Sequence, residues 1–193
     1  RIAGQATAAY EIIEALGDAP DVLALPVGNG GNITAYWAGF RRWHDSARAR
    51  TLPHMLGGQA AGAAPLVLGH PVDNPQTIAT AIRIGRPASW QPAVAAVTES
   101  SGEFRAVTDA EILTAAREIA RREGIFCEPS SAAGVAALRA SIAAGRTSPA
   151  SRCVCVCTGH GLKDAQAALL DAPSEPPAPV AATPDAVAAA LGW

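Results

Sequence analysis

Apolar positions along this 193-residue chain switch between helical spacing and short unbroken runs. Gln5 to Leu16 carries apolar side chains at helical spacing and stops at Gly17, which predicts a helix. Asp21 to Val27 is a short apolar run ending in glycines, the mark of a strand buried on both faces. Asn32 to Asp45 is helical again, with Ile33, Trp37 and Phe40 on one stripe. Leu52 to Leu56 reads as a second strand, and residues 57–75, rich in Gly, Ala and Pro, as a long shaped loop. Thr77 to Ile84 and Ser89 to Glu99 read as two short helices, and Phe104 to Val107 as a strand. Thr108-Asp-Ala-Glu111 is a capping box that opens a helix running to about Arg122 and ending at Gly124. Ile125 to Cys127 is a short extended piece, and Pro129 opens an alanine-rich helix to Gly145. Arg152 to Thr158 alternates Cys and Val as a strand. A Pro-rich stretch, Asp171 to Pro184, precedes a last short helix from Asp185 to Leu191. No internal repeat interrupts this order.

Strands separated by helices of ten or more residues predict an α/β fold with a doubly wound, mostly parallel sheet. In such sheets ligands bind beyond the carboxyl ends of the strands. The loops that directly follow strands are therefore the places to look for chemistry.

Composition narrows the picture. Net charge is −2, so no broad basic field marks a nucleic-acid or anionic-membrane partner. Four cysteines do not make a disulfide framework at this length, and their use fits a reducing, cytoplasmic compartment. Cys153, Cys155 and Cys157 fall on one face of their strand. They are either a soft-metal or redox site with His160 or small apolar side chains of a buried strand. A single spacer matches no zinc pattern, which favours the core reading.

Pro26-Val-Gly-Asn-Gly-Gly-Asn32 sits where the first strand ends and a helix begins. Its glycines let the backbone approach a ligand, and the helix start adds free N–H donors and partial positive charge. A phosphate cradle is one reading and a structural turn the other. The dinucleotide fingerprint is broken by Ile33, and the P-loop lysine is absent, so a phosphate monoester fits better than NAD or ATP. Thr158-Gly-His-Gly161 follows the cysteine strand and opens into the same crevice. Thr158 offers a neutral hydroxyl; His160 is a general acid–base candidate or a loop residue bound to backbone. In Glu128-Pro-Ser-Ser-Ala132, Glu128 orients a neighbour in the crevice or Ser130 caps the helix.

These loops, in this order, resemble threonine synthases, pyridoxal 5'-phosphate (PLP) enzymes of the tryptophan synthase β-like fold (fold type II). The likeness rests on Leu25-Pro-Val-Gly-Asn-Gly-Gly-Asn-Ile-Thr34, Leu56-Gly-Gly-Gln-Ala-Ala-Gly-Ala-Ala-Pro65 and Thr80-Ala-Ile-Arg-Ile-Gly85. It continues through Pro87-Ala-Ser-Trp90, Gly124-Ile-Phe-Cys-Glu-Pro-Ser-Ser-Ala132 and Thr158-Gly-His-Gly-Leu-Lys-Asp164, to about residue 170. The resemblance implies that Gly28, Asn29, Gly30, Gly31 and Asn32 hold the PLP phosphate. It implies that Thr158 hydrogen-bonds the pyridine nitrogen, and that Arg1 and Asn29 contact the phosphate of the substrate, O-phospho-L-homoserine. The implied reaction yields L-threonine and phosphate, with a homodimer expected of the full-length enzyme. Arg86 departs from the family pattern, which has asparagine after the glycine.

One absence is larger. The chain has 45 alanines but a single lysine, Lys163, in a stretch where the family does not keep its cofactor-bearing lysine. The expectation is therefore a C-terminal portion of a threonine synthase. Residues 1–170 would belong to the larger PLP-binding domain, incomplete at its N-terminus, and residues 171–193 would form the Pro-rich segment and final helix. Such a chain alone would hold no catalytic lysine. The alternatives are another PLP enzyme of the same fold, such as threonine dehydratase or cysteate synthase, and a non-catalytic phosphate- or PLP-binding module.

Overall fold

The computed structural model describes residues 1–164 and 179–193. Four strands form one parallel sheet: β1 (Val22–Pro26), β2 (His54–Ala60), β3 (Glu103–Val107) and β4 (Cys153–Cys155), in the order β3-β2-β1-β4. β1 is buried along its whole length, as its unbroken apolar run requires. Alternation divides its side chains between two cores. Leu23 and Leu25, with Val27 just beyond the strand, join Met55 on the face covered by α2 (Thr7–Leu16), α3 (Gly31–Asp45) and, beyond the short α4 (Pro65–Leu68), α5 (Trp90–Glu99), while α1 (Ile2–Gln5) packs on α3. Val22 and Ala24 join Leu56 and Ala60 on the other face, under α6 (Asp109–Glu123) and α7 (Pro129–Ala143). Helices on both faces make the sheet doubly wound. Each fully buried large aliphatic side chain stabilises it by roughly 1.5–3 kcal/mol.

Alanine and glycine set the spacing between layers. Helix α7 is buried on most of its length by Ala, Gly and Ser, so it lies close against the sheet. A Cβ on Gly58 would come within 2.4 Å of the Ala133 carbonyl oxygen, and one on Gly57 within 2.6 Å of the Phe104 ring. This corrects the second strand. It was expected to stop at Leu56, with residues 57–75 as loop, but it runs on to Ala60. Gly57-Gly58 marks close layer packing inside a strand, not its end.

The stretch from Thr77 to Ile84, expected as a helix, forms only a 3-10 turn at Thr80–Ile82. Distant polar side chains hold its backbone instead. Asp109 accepts from the Thr77 hydroxyl at 2.5 Å and from Ile78 N–H at 3.1 Å, and Ser130 Oγ accepts from Ala81 N–H at 3.1 Å. Ser130 therefore clamps this turn and does not cap α7. The capping box at Thr108 forms as expected, with Glu111 N–H donating to Thr108 Oγ1 at 3.2 Å and Thr108 N–H to Glu111 Oε2 at 2.7 Å. The final helix, α8 (Pro184–Leu191), is exposed. The boundary expected at residue 170 and most of the Pro-rich segment lie outside the described residues.

The cysteine strand alternates as expected: Cys153 and Cys155 pack toward the α6–α7 core, Val154 and Val156 toward the opposite one. Their full burial does not follow, because β4 is at the sheet edge; both are half-buried and Cys157 is exposed. Burial pushes the Cys155 thiol up to about 12. Among the described residues no cluster of three or more His, Cys, Asp or Glu is arranged to hold a metal ion.

Candidate functional site

β1 and β4 are neighbours, so the loops at their carboxyl ends meet. Between them lies a cavity of about 470 Å³, a volume typical of small-ligand sites. Its walls include Arg1, Gly28, Asn29, Gly30, Gly31, Asn32 and Thr158. Every residue assigned to cofactor or substrate thus lines one cavity. Glu128, Ser130 and Lys163 line it too. A larger depression, about 610 Å³, lies between α3 and α5, but there the Trp37 and Arg41 donors are both taken by Glu99 at 2.8 Å.

The loop after β1 presents its backbone. Among the described residues no protein acceptor meets the N–H groups of residues 28–32, although Gly28 and Gly30 are buried. Buried N–H groups without partners are costly, and here they gather at the positive end of a 15-residue helix. An anion with several oxygens answers both features. Gly30 makes the turn possible: its φ is +79°, and a Cβ there would come within 2.8 Å of Ala93 Cβ. The side chains hold the loop in shape. Asn32 Nδ2 donates to the Pro26 carbonyl at 2.6 Å, and its Oδ1 accepts from Ile33 N–H at 2.9 Å. Asn29 Oδ1 accepts from Ala88 N–H at 3.2 Å, while its Nδ2 has no protein acceptor among the described residues.

The loop after β4 presents a side chain. The Thr158 hydroxyl is exposed to the cavity, and buried Ser131 lies behind it, 2.9 Å from Thr158 Oγ1. Nothing local in the sequence singles out Ser131, because its partners are 27 and 28 residues away. The Glu128 side chain is 3% exposed and accepts from Lys163 Nζ at 3.1 Å, which places the lysine at the cavity wall. Gly159 leaves room for Glu128: a Cβ would sit 2.1 Å from its Oε1. His160 does not line the cavity; its Nδ1 accepts from Leu162 N–H at 3.2 Å and its ring meets the edge of Phe126. The loop reading of His160 is the one that holds. Just before Thr158, a hydrogen bond from the Cys127 thiol brings Cys157 down to about 7, while Cys127 itself is pushed up. Arg86 points away from the site to Asp73, at 2.6 Å on the surface.

The profile of the family described as "Pyridoxal-phosphate dependent enzyme" matches residues 1–159. The chain belongs to this family. Among curated relatives, it is 58% identical over 188 residues to a threonine synthase of Mycobacterium leprae, covering 97% of this chain and 51% of that protein. It is 50% identical over 196 residues to a threonine synthase of Synechocystis, covering all of this chain and 50% of that one. The chain therefore spans about half the length of the curated relatives it matches. Its fold is that of the threonine deaminase isoform 2 of Solanum lycopersicum, with a TM-score of 0.69 at 22% identity, covering 89% of this chain and 49% of that one. It is also that of maize serine racemase, with a TM-score of 0.64 at 22% identity, covering 79% and 45%. These likenesses bear out the α/β class read from the strand–helix alternation and the PLP fold implied by the loop series.

Pyridoxal phosphate, the family's cofactor, can be tested against the residues present. It carries a phosphate monoester and an aromatic ring with one nitrogen. The orphaned N–H groups of residues 28–32 suit the first, and the Thr158 hydroxyl across the cavity suits the second. No helix among the described residues is long and apolar enough to cross a membrane.

Proposed function

We propose that this chain supplies the cofactor-cradling half of a threonine synthase, which converts O-phospho-L-homoserine and water to L-threonine and phosphate. The observation that carries the reading is the convergence on one cavity of the backbone N–H groups of residues 28–32, which meet no protein acceptor among the described residues, with the Thr158 hydroxyl and Arg1. The 50–58% identity to threonine synthases supports this choice among PLP enzymes.

In this reading residues 28–32 hold the cofactor phosphate through backbone donors, and Thr158 meets the ring nitrogen. Bound there, the cofactor supplies an electron sink for charge developing on the substrate amino acid. A neutral hydroxyl at the nitrogen moderates that sink, because it lends no full charge. Arg1 and the Asn29 amide face the substrate phosphate from the cavity wall, the guanidinium as a two-toothed donor. Buried Glu128 holds Lys163 by an ion pair, which gives that lysine a structural role and leaves covalent cofactor attachment to another segment. We place the chain in the larger, PLP-binding domain of the full-length enzyme, a cytoplasmic homodimer.

Product analysis tests the proposal. The full-length protein is given O-phospho-L-homoserine, L-threonine or O-phosphoserine. Threonine and inorganic phosphate from the first substrate alone are expected. Oxobutanoate from threonine would assign the site to a dehydratase of the same fold, and turnover of phosphoserine to a cysteate synthase. Cofactor binding without turnover of any of the three would make it a binding module.

A further inference from the structure

Ser131 lies in the first turn of α7, fully buried and outside the cavity wall, yet four polar atoms converge on its one hydroxyl. The N–H of Thr158 lies at 3.0 Å and the N–H of Gly159 at 2.7 Å. Thr158 Oγ1 lies at 2.9 Å and the Gly159 carbonyl oxygen at 3.3 Å. A serine hydroxyl has one proton and two lone pairs. The two N–H donors take both lone pairs, so Ser131 has none left to accept from Thr158. Its proton has two candidate acceptors. The Gly159 carbonyl is the more distant and already accepts from Glu128 N–H at 2.9 Å. Thr158 Oγ1 is closer and has no other protein donor among the described residues. Ser131 therefore donates to Thr158. The Thr158 proton has no protein acceptor among the described residues, and it turns toward the cavity.

We propose that Ser131 is a positioning residue that makes Thr158 a hydrogen-bond donor toward an unprotonated aromatic nitrogen in the cavity. It does so by holding the 158–159 backbone and by occupying one of the two lone pairs of the Thr158 hydroxyl, which fixes its rotation and leaves its one proton for the cavity. The proposal rests on the PLP reading of the cavity and adds to it the residue that orients the Thr158 hydroxyl.

The test loads the holoenzyme with cofactor labelled with nitrogen-15 in the ring and reads that nucleus by NMR. The native protein is expected to show an unprotonated, hydrogen-bonded nitrogen. Ser131→Ala shifts it toward the value of a nitrogen without a donor, and kcat falls about tenfold while KM stays within about twofold. Ser131→Cys, of similar shape and weaker donation, gives an intermediate shift and keeps the test open if the alanine variant does not fold. Thr158→Val shifts the nucleus as far as Ser131→Ala does. A pyridinium signal in the native protein would overturn the proposed polarity. An unchanged signal in both Ser131 variants, with Thr158→Val shifted, would overturn the role of Ser131 alone. An unchanged signal in Thr158→Val would overturn the cavity reading itself.

Discussion

The loops after β1 and β4 face each other across one cavity but are built by opposite means. In residues 26–32 the proposed binding groups are backbone N–H donors, and the side chains of Asn29 and Asn32 shape that backbone. In residues 157–161 the proposed binding group is a side chain, that of Thr158, with the hydroxyl of a serine from another element 2.9 Å behind it. The first design suits a phosphate, whose oxygens accept several bonds from fixed N–H groups. The second suits a single ring atom, where one donor of the right polarity is enough. The difference also decides how each loop fails. A backbone cradle breaks when its conformation is blocked, and a side-chain contact when its support is removed.

The largest effect is therefore expected from Gly30→Ala. At φ +79° the new residue adopts a left-handed conformation, and its Cβ meets Ala93 and the Ser89 carbonyl. Left-handed strain and overpacking together cost about 2–4 kcal/mol. Titration of the full-length protein with pyridoxal phosphate should show affinity lower by about a hundredfold or more. Retained affinity would mean that the cradle is not the phosphate site.

Asp18 tests whether the site can be separated from the stability of its frame. It lies between α2 and β1, at the amino ends of the strands and away from both loops. Burial raises its pKa, but N–H groups of Arg50, Ala19 and Thr51 and the Arg50 guanidinium outweigh burial and hold it at about 2, against 3.8 ordinarily. A carboxylate with a lowered folded pKa contributes stability that is complete above about pH 4 and lost as pH falls toward about 2. Asp18→Ala should cost about 1–3 kcal/mol at neutral pH by stranding those donors. Denaturant titrations should show its deficit shrinking as pH falls through that window. A deficit independent of pH would refute the assignment.

Within the cradle, Asn32→Ala sharpens the contrast, because it removes shaping contacts and leaves every backbone donor in place. Losing its bonds to Pro26 and Ile33 should cost about 1–2 kcal/mol, read as cofactor affinity about tenfold lower. If affinity falls as far as for Gly30→Ala, the Asn32 side chain touches the ligand itself.

The two loops differ as well in how far the amino-acid order reveals them. Gly28-Asn-Gly-Gly-Asn32 is a local pattern, and glycines between a strand and a helix point to backbone donors by elementary stereochemistry. The unbroken apolar run of β1, the Thr108 capping box and the strand–helix alternation behind the two-sided helix cover were legible in the same way, because each depends on residues near in sequence. Ser131 was not legible, since its partners lie 27 and 28 residues on. The end of β2 was missed because Gly57-Gly58 is a turn signal out of context; contact with Phe104 and Ala133 makes it a packing device. The turn at residues 80–82 was misread because polar clamps from Asp109 and Ser130 override its apolar spacing.

Thr108 gives the smallest and cleanest comparison. It too follows a strand, β3, at the carboxyl edge of the sheet, but it does not line the cavity. Its hydroxyl accepts from Glu111 N–H, and the Glu111 carboxylate, lowered by the Thr108 backbone N–H and then by its hydroxyl, accepts in return. Both partners are within one helical turn, so this loop serves α6 and nothing beyond it. Thr108→Ala should cost about 1 kcal/mol in a denaturant titration and leave cofactor affinity unchanged. A fall in affinity would show that α6 transmits to the site through the Asp109 clamp on Thr77 and Ile78, and a third post-strand loop would then have to be counted with the other two.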